Sequence, residues 1–290
     1  MQKDRLTSSR DIDLFSAVEI VRVIQYEDRR LTDELQEESR RIAHAVDEIV
    51  ARLRDGGRLF YAGAGRSARI AMLDASTLPQ TFGIPQSTIQ IIAAGGAESF
   101  AQPDDDPGQD EHAAITEVNG RVRPHDAVVA ISASGETPFT IAAVRRANMH
   151  GSLTVGICTT PGATLTREVD IPIVPSTEPE VILGPRDHKG LVARMMVLST
   201  LSTAVMIRLN RVHSNLAVDM AIRGNGDRVL ANRMVEYAAG VDSPVATTAL
   251  ERSGGDIRAA ILIASRDIPL EEARRLLDEN QKRLRGLIPD

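Results

Sequence analysis

Five short apolar runs, alternating with helical stretches, constrain this chain more than any other feature. They are Arg58-Leu-Phe-Tyr-Ala62, Ser87-Thr-Ile-Gln-Ile-Ile-Ala93, Asp126-Ala-Val-Val-Ala-Ile-Ser132, residues 153–158 and residues 170–174. Strands that are apolar throughout cannot leave one face in water, and helices between them supply the crossovers that parallel pairing needs. The expected fold class is α/β: a doubly wound five-stranded parallel sheet flanked by helices, with a helical C-terminal tail.

Helical periodicity runs through residues 12–54, carried by Leu14, Val18, Ile20, Val21 and Ile24, then Ile42, Ala45, Val46, Ile49 and Val50. Asp55-Gly-Gly57 is expected to end it, since glycine takes a left-handed cap cheaply. Beyond Gly184, residues 189–212 and 215–241 read as two long helices, the first apolar nearly all round and so destined for the interior or for another subunit. Residues 242–290 read as three short helices, with starts marked by Ser243-Pro244 and by Pro269. The domains expected are N-terminal helices over 1–57 packed on a sheet domain over 58–241, then a small three-helix domain over 242–290.

Charge and composition narrow the function. A net charge of -6 argues against a nucleic-acid surface, and the short clusters Arg40-Arg41 and Arg283 to Arg285 read as solvated helix faces. Trp is absent and aromatics are 3%, so stacking platforms are not expected. One cysteine, Cys158, precludes an intramolecular disulfide and fits a reducing compartment; its strand setting suggests an inert core thiol. Met1-Gln-Lys-Asp-Arg5 has no apolar stretch behind it, and no apolar run of membrane-spanning length is expected. The expected location is the cytoplasm. The six histidines are scattered, so no metal site is expected.

Two loops carry the chemistry. In an open parallel sheet, ligands bind beyond the carboxyl ends of the strands, where the winding reverses. Ser132-Ala-Ser-Gly-Glu-Thr137 combines three hydroxyls, a glycine and a helix start, all suited to a phosphate. It has no lysine, which favours a monophosphate ester over a nucleotide. The competing reading is a plain helix cap with Ser134 or Thr137 as N-cap. Gly63-Ala-Gly-Arg-Ser67 is the second loop; it lacks the third glycine of a dinucleotide fingerprint, so no cofactor is expected. Together the loops suit a sugar phosphate.

The motifs also resemble a known family. Ser132-x-Ser-Gly-Glu-Thr137 is similar to the phosphate loop of sugar isomerase (SIS) domains. Gly63-Ala-Gly-Arg-Ser-Ala-Arg-Ile-Ala-Met-Leu-Asp-Ala-Ser76, with Pro79 and Thr81-Phe-Gly83, resembles the signature shared by N-acetylmuramic acid 6-phosphate etherases and the glucokinase regulatory protein. Ile92-Ala-Ala-Gly-Gly96, Lys189, Asn215-Leu-Ala-Val-Asp219 and Gly255-Asp256 continue the match in order. The resemblance implies a SIS-type sheet and a homodimer whose partner completes the pocket. It also implies an amino-sugar 6-phosphate ligand bound by Gly63, Gly65, Arg66, Ser67, Ser132, Ser134, Gly135, Glu136, Thr137 and Lys189.

In the etherases a carboxylate removes the proton next to the opened aldehyde, lactate leaves, and water adds back. The resemblance implies two glutamates for this. Thr77 stands at one position; at the other, Gln102-Pro-Asp-Asp-Asp-Pro107 offers only Asp104, Asp105 and Asp106, the competing reading being a solvated acidic turn. Glu111 and Glu136 are the other carboxylates that could take the role. Arg66 replaces a small threonine of the etherases and Glu136 an arginine, so these two are expected either to meet each other, to face the phosphate, or to sit in solvent. Near Lys189, Gly184-Pro-Arg-Asp-His-Lys189 departs from the family pattern, which suggests a changed sugar preference; His188 reads as a capping or exposed residue. Because of Thr77, the function expected first is ligand binding with lost or altered lyase activity, as a sensor or regulator with a protein partner. An active etherase or sugar-phosphate isomerase using a substitute carboxylate is the alternative, and a purely structural interaction module the third.

Overall fold

The computed structural model describes residues 5–100, 107–177, 179–184 and 187–288. Two compact units emerge, one of Met1–Ala75 with Ser87–Val205, the other of Ser76–Gln86 with Met206–Asp290.

The first unit holds the sheet. Strands β1 (Leu59–Gly63), β2 (Ile89–Ala93), β3 (Ala127–Ile131), β4 (Leu153–Ile157) and β5 (Ile171–Ile173) lie in the order β2-β1-β3-β4-β5, all parallel. β1, β3 and β4 are buried at every residue, as their unbroken apolar composition requires. Because β2 lies on one side of β1 and β3 on the other, the winding reverses between β1 and β3. Gly63 of β1 pairs in register with Ile131 of β3, so both strands stop at the same level.

Helices α1 (Ala17–Glu37) and α2 (Ser39–Arg54) replace the continuous helix expected over 12–54. The break falls at Glu38, which is 6% exposed; its carboxylate accepts the Val174 amide at 3.2 Å and pairs with Arg41. A buried acid tied to the end of β5 fixes the chain at that point, whatever the apolar periodicity prefers. α4 (Glu111–Arg121) and α5 (Pro138–Met149) form one hydrophobic core with β1, β2 and β3, through Phe60, Ile92, Val118, Val128 and Phe139. The short α6 (Thr164–Glu168) precedes β5.

α3 (Gly65–Phe82) and α7 (His188–Arg208) contribute residues to both units. By length and composition α7 suits a membrane span, contrary to expectation, although half of its apolar window is buried inside the protein. That burial follows from its role as a core helix: Ala193, Val197, Leu198, Leu201 and Val205 are at most 1% exposed.

In the second unit, α8 (Asn225–Ala239), α9 (Ser243–Arg252), α10 (Ile257–Arg266) and α11 (Leu270–Glu279) share one core built on Ala231, Val235, Ala249, Leu262 and Leu277. α8 begins ten residues later than the periodicity predicts. Asn210 and Ser214 adopt left-handed φ values of 63° and 52°, and Asp219 is clamped by Arg211 at 3.0 Å and by Arg258. These contacts hold the preceding segment out of helix, and Gly224 with Asp227 starts α8, the Arg223 amide donating to the Asp227 carboxylate at 2.9 Å.

Candidate functional site

The loop after β3 is a built turn. Ser132 is 2% exposed; its amide donates to the Ile157 carbonyl, and its Oγ accepts the Gly135 amide at 3.0 Å and lies 2.9 Å from Thr137 Oγ1. Ser134, exposed at the tip, accepts the Glu136 amide at 3.1 Å. From beneath, Thr159 donates its amide and hydroxyl to the Ala133 carbonyl, and the Leu165 amide donates to the Gly135 carbonyl. Gly135 has φ +71°, and a Cβ there would lie 2.5 Å from Ala163 Cβ and 3.3 Å from Cys158 Sγ, so only glycine fits. Pro138 then opens α5, whose N-cap Thr137 has its hydroxyl turned to Ser132 and not to its own helix.

The loop after β1 is shorter. Gly65, with φ +52°, turns the chain directly into α3, and the Ala64 carbonyl accepts the amides of Ser67 and Ala68. Ser67 is 6% exposed while Arg66 is exposed. Gly63 and Ile131 being paired neighbours, both loops and both helix starts, α3 and α5, gather at the carboxyl ends of β1 and β3. Backbone amides and the positive ends of two helix dipoles therefore face one region, which suits an anionic ligand.

Two of the expected contact residues have other partners. The Glu136 carboxylate accepts the Thr164 amide and hydroxyl, each at 2.7 Å, capping α6. Those hydrogen bonds hold its pKa below the ordinary carboxylate value. It therefore does not answer the charge of Arg66. Lys189 is 1% exposed, with Nζ 2.8 Å from Glu27 Oε2 and 3.3 Å from the Pro179 carbonyl. Its amide and that of Gly190 donate to the Glu180 carboxylate, so the start of α7 already carries an anion of its own. His188 lies 3.8 Å from Asp28. Asp104, Asp105 and Asp106 lie outside the described residues. Thr77 is exposed on α3 within the second unit, and its carbonyl accepts the Thr81 hydroxyl at 2.9 Å.

Comparison with known proteins decides the family. An etherase of N-acetylmuramic acid 6-phosphate from Symbiobacterium thermophilum is 43% identical over 258 residues, covering 89% of this chain and 86% of its own. One from Rubrobacter xylanophilus is 38% identical, covering 94% and 91%. The chain belongs to the N-acetylmuramic acid 6-phosphate etherase family. The profile of the glucokinase regulatory protein N-terminal SIS domain matches residues 41–148, and that of the SIS domain residues 108–204. The phosphoheptose isomerase of Neisseria gonorrhoeae shares the fold, with a TM-score of 0.52 at 18% identity over 66% of this chain and 98% of its own. Both the SIS sheet and the etherase resemblance read from the motifs are thus established.

Within this family member, two polar clusters escaped the sequence reading. Asp74 on α3 accepts hydrogen bonds from Tyr61 of β1 and Ser202 of α7, each at 3.0 Å, and burial raises its pKa. Burial, then the Asp74 charge, pushes the Tyr61 phenol well above its ordinary value. Asp187 and Arg194 form a buried ion pair at 2.8 Å, where burial lowers the Arg194 pKa against the opposing pull of Asp187. The signal for Arg194 was present: one arginine inside an otherwise apolar helical stretch. Among the described residues no group of three or more His, Cys, Asp or Glu is placed to hold a metal.

Proposed function

We propose that this chain binds an amino-sugar 6-phosphate of the N-acetylmuramic acid type across the loops at 63–67 and 132–137, and cleaves its lactyl ether. The observation that carries this reading is the register pairing of Gly63 with Ile131, which gathers two helix starts at the switch point of the sheet. Ser132, Ser134, Gly135 and Thr137 would cradle the phosphate, with Gly63, Gly65, Arg66 and Ser67 bordering the sugar. Relatives at 43% and 38% identity bear the etherase name, which favours a lyase over a sensor. Elimination needs a carboxylate to take the C–H proton. Asp104 and Asp105 are assigned that role, and a cytoplasmic location accompanies the reading.

A second reading, binding without turnover, has one specific observation behind it: Thr77, whose hydroxyl cannot abstract a C–H proton unaided near neutral pH. Incubation with N-acetylmuramic acid 6-phosphate separates the two. D-lactate release that survives Thr77→Ala and vanishes in the Asp104→Asn/Asp105→Asn variant supports the lyase. Thermal stabilisation by the same compound without lactate supports the sensor. If the compound gives neither, and Ser134→Ala changes nothing, both readings fall.

The assembly we infer is a symmetric homodimer. Leu14, in the turn before α1, and Val18 and Val21, three residues apart on α1, are 80%, 59% and 50% exposed, and apolar side chains exposed in this way are commonly covered by a second copy. A monomeric mass by light scattering at micromolar concentration would contradict it.

A further inference from the structure

Arg194 sits on the second turn of α7, 1% exposed, between Leu191-Val-Ala193 and Met195-Met-Val-Leu198. Its Nη2 lies 2.8 Å from Asp187 Oδ2, while Nε and Nη1 are buried with no hydrogen-bond partner among the described residues. Asp187 holds the guanidinium at that one nitrogen, and its oxygens find no further hydrogen-bond partner among the described residues. A guanidinium carries five N–H donors, and its burial against one carboxylate leaves it under-compensated. Such a group is retained where something else completes it.

The neighbourhood indicates what that is. Arg66, on the first loop, and Cys158, at the end of β4, both act electrostatically on Arg194. Cys158 Sγ stands 3.3 Å from where a Cβ on Gly135 would lie, directly against the second loop. Arg194 is therefore within electrostatic reach of both loops, and Asp187 is the carboxylate that opposes its charge. The loop at 132–137 holds no cation, Glu136 within it is an acid engaged by Thr164, and the Lys189 charge is answered by Glu27. Among the described residues named here, Arg194 is the buried cation left to answer a phosphate dianion bound there.

We propose that Arg194 is a specificity-determining residue: its buried guanidinium supplies the counter-charge that selects a phosphate dianion at the loop 132–137, with Asp187 holding it while the site is empty. The inference rests on the sugar-phosphate reading of the two loops. Its test is calorimetric titration with N-acetylglucosamine 6-phosphate, a dianion at pH 7.5, against N-acetylglucosamine 6-sulfate, a monoanion. Arg194→Gln is expected to weaken phosphate-ester binding by about tenfold or more, the scale of one hydrogen bond to a charged group, and to shrink the preference for phosphate over sulfate by a similar factor. Because that variant strands Asp187, Asp187→Asn/Arg194→Gln is measured beside it and is expected to fold and to show the same loss; Arg194→Lys is expected to keep part of the preference. A double variant that fails to fold, or that keeps the wild-type preference, overturns the proposal while leaving the loops as the site. If wild type binds neither ester, the reading of the site fails and this inference with it.

Discussion

The Lys189 ammonium lies 2.8 Å from the Glu27 carboxylate, and the two side chains are 2% and 1% exposed. A buried pair of this kind contributes little net stability relative to apolar residues, but losing one partner strands a charge. Lys189→Met is therefore expected to destabilise the protein by about 3–5 kcal/mol, and Glu27→Leu/Lys189→Met to recover most of that. Urea unfolding followed by circular dichroism measures both. A Lys189→Met protein of unchanged stability that no longer binds a sugar phosphate would return Lys189 to the ligand site.

Gly135 and Gly65 both have positive φ, yet their surroundings differ. A Cβ on Gly135 meets Ala163 and Cys158, whereas nothing lies within 4 Å of one on Gly65. Gly65→Ala is expected to cost about 1–2 kcal/mol from backbone strain alone. Gly135→Ala adds steric overpacking of about 1–3 kcal/mol and displaces the loop. Thermal unfolding together with sugar-phosphate titration should rank them in that order. Equal effects would mean that the packing beneath Gly135 does not shape the loop.

How much of this was legible depended on the range of each interaction. The five strands, the loops at 63–67 and 132–137, and the three short helices after Ser243 are written in local signals: apolar runs, glycines, hydroxyls, and prolines at helix starts. Long-range polar pairing left no such trace. Glu27 meets Lys189 across 162 residues, and Glu136 turns to Thr164, 28 residues on, instead of to Arg66. α8 starts later than its sequence pattern suggests because the apolar spacing of residues 215–224 looks helical, while the Asp219 clamp and two left-handed residues oppose it. Glu38 broke a helix for the same reason: its partner, the Val174 amide, is 136 residues away.

Glu136 gives a prediction on the acid side. Its folded-state pKa is lowered by the Thr164 hydrogen bonds, so the charged form is favoured by folding. The contribution is present above the unfolded carboxylate value and disappears as pH falls through the lowered folded one. Glu136→Gln should remove that part of the acid limb in melting temperature against pH, and should leave sugar-phosphate affinity near wild type. A large loss of affinity would show that this carboxylate serves the ligand and not α6.

Asp74 is expected to behave in the opposite sense. Burial raises its pKa in the folded state against the hydrogen bonds from Tyr61 and Ser202, which favour the charged form. The folded protein therefore holds this proton at pH values where the unfolded chain has released it, and stability falls as pH rises from the unfolded carboxylate value through the raised folded one. Asp74→Asn removes the titration but not the polar contact, since the phenol of Tyr61 can accept from an amide as readily as it donates to a carboxylate. The variant should flatten that segment of the stability profile and should lose little stability below it, where the wild-type carboxyl is already neutral. Denaturant midpoints collected across the acid range for both proteins measure this. Parallel profiles would mean that Asp74 titrates alike in the folded and unfolded chains, and that the Tyr61–Asp74–Ser202 contact carries no charge-dependent energy.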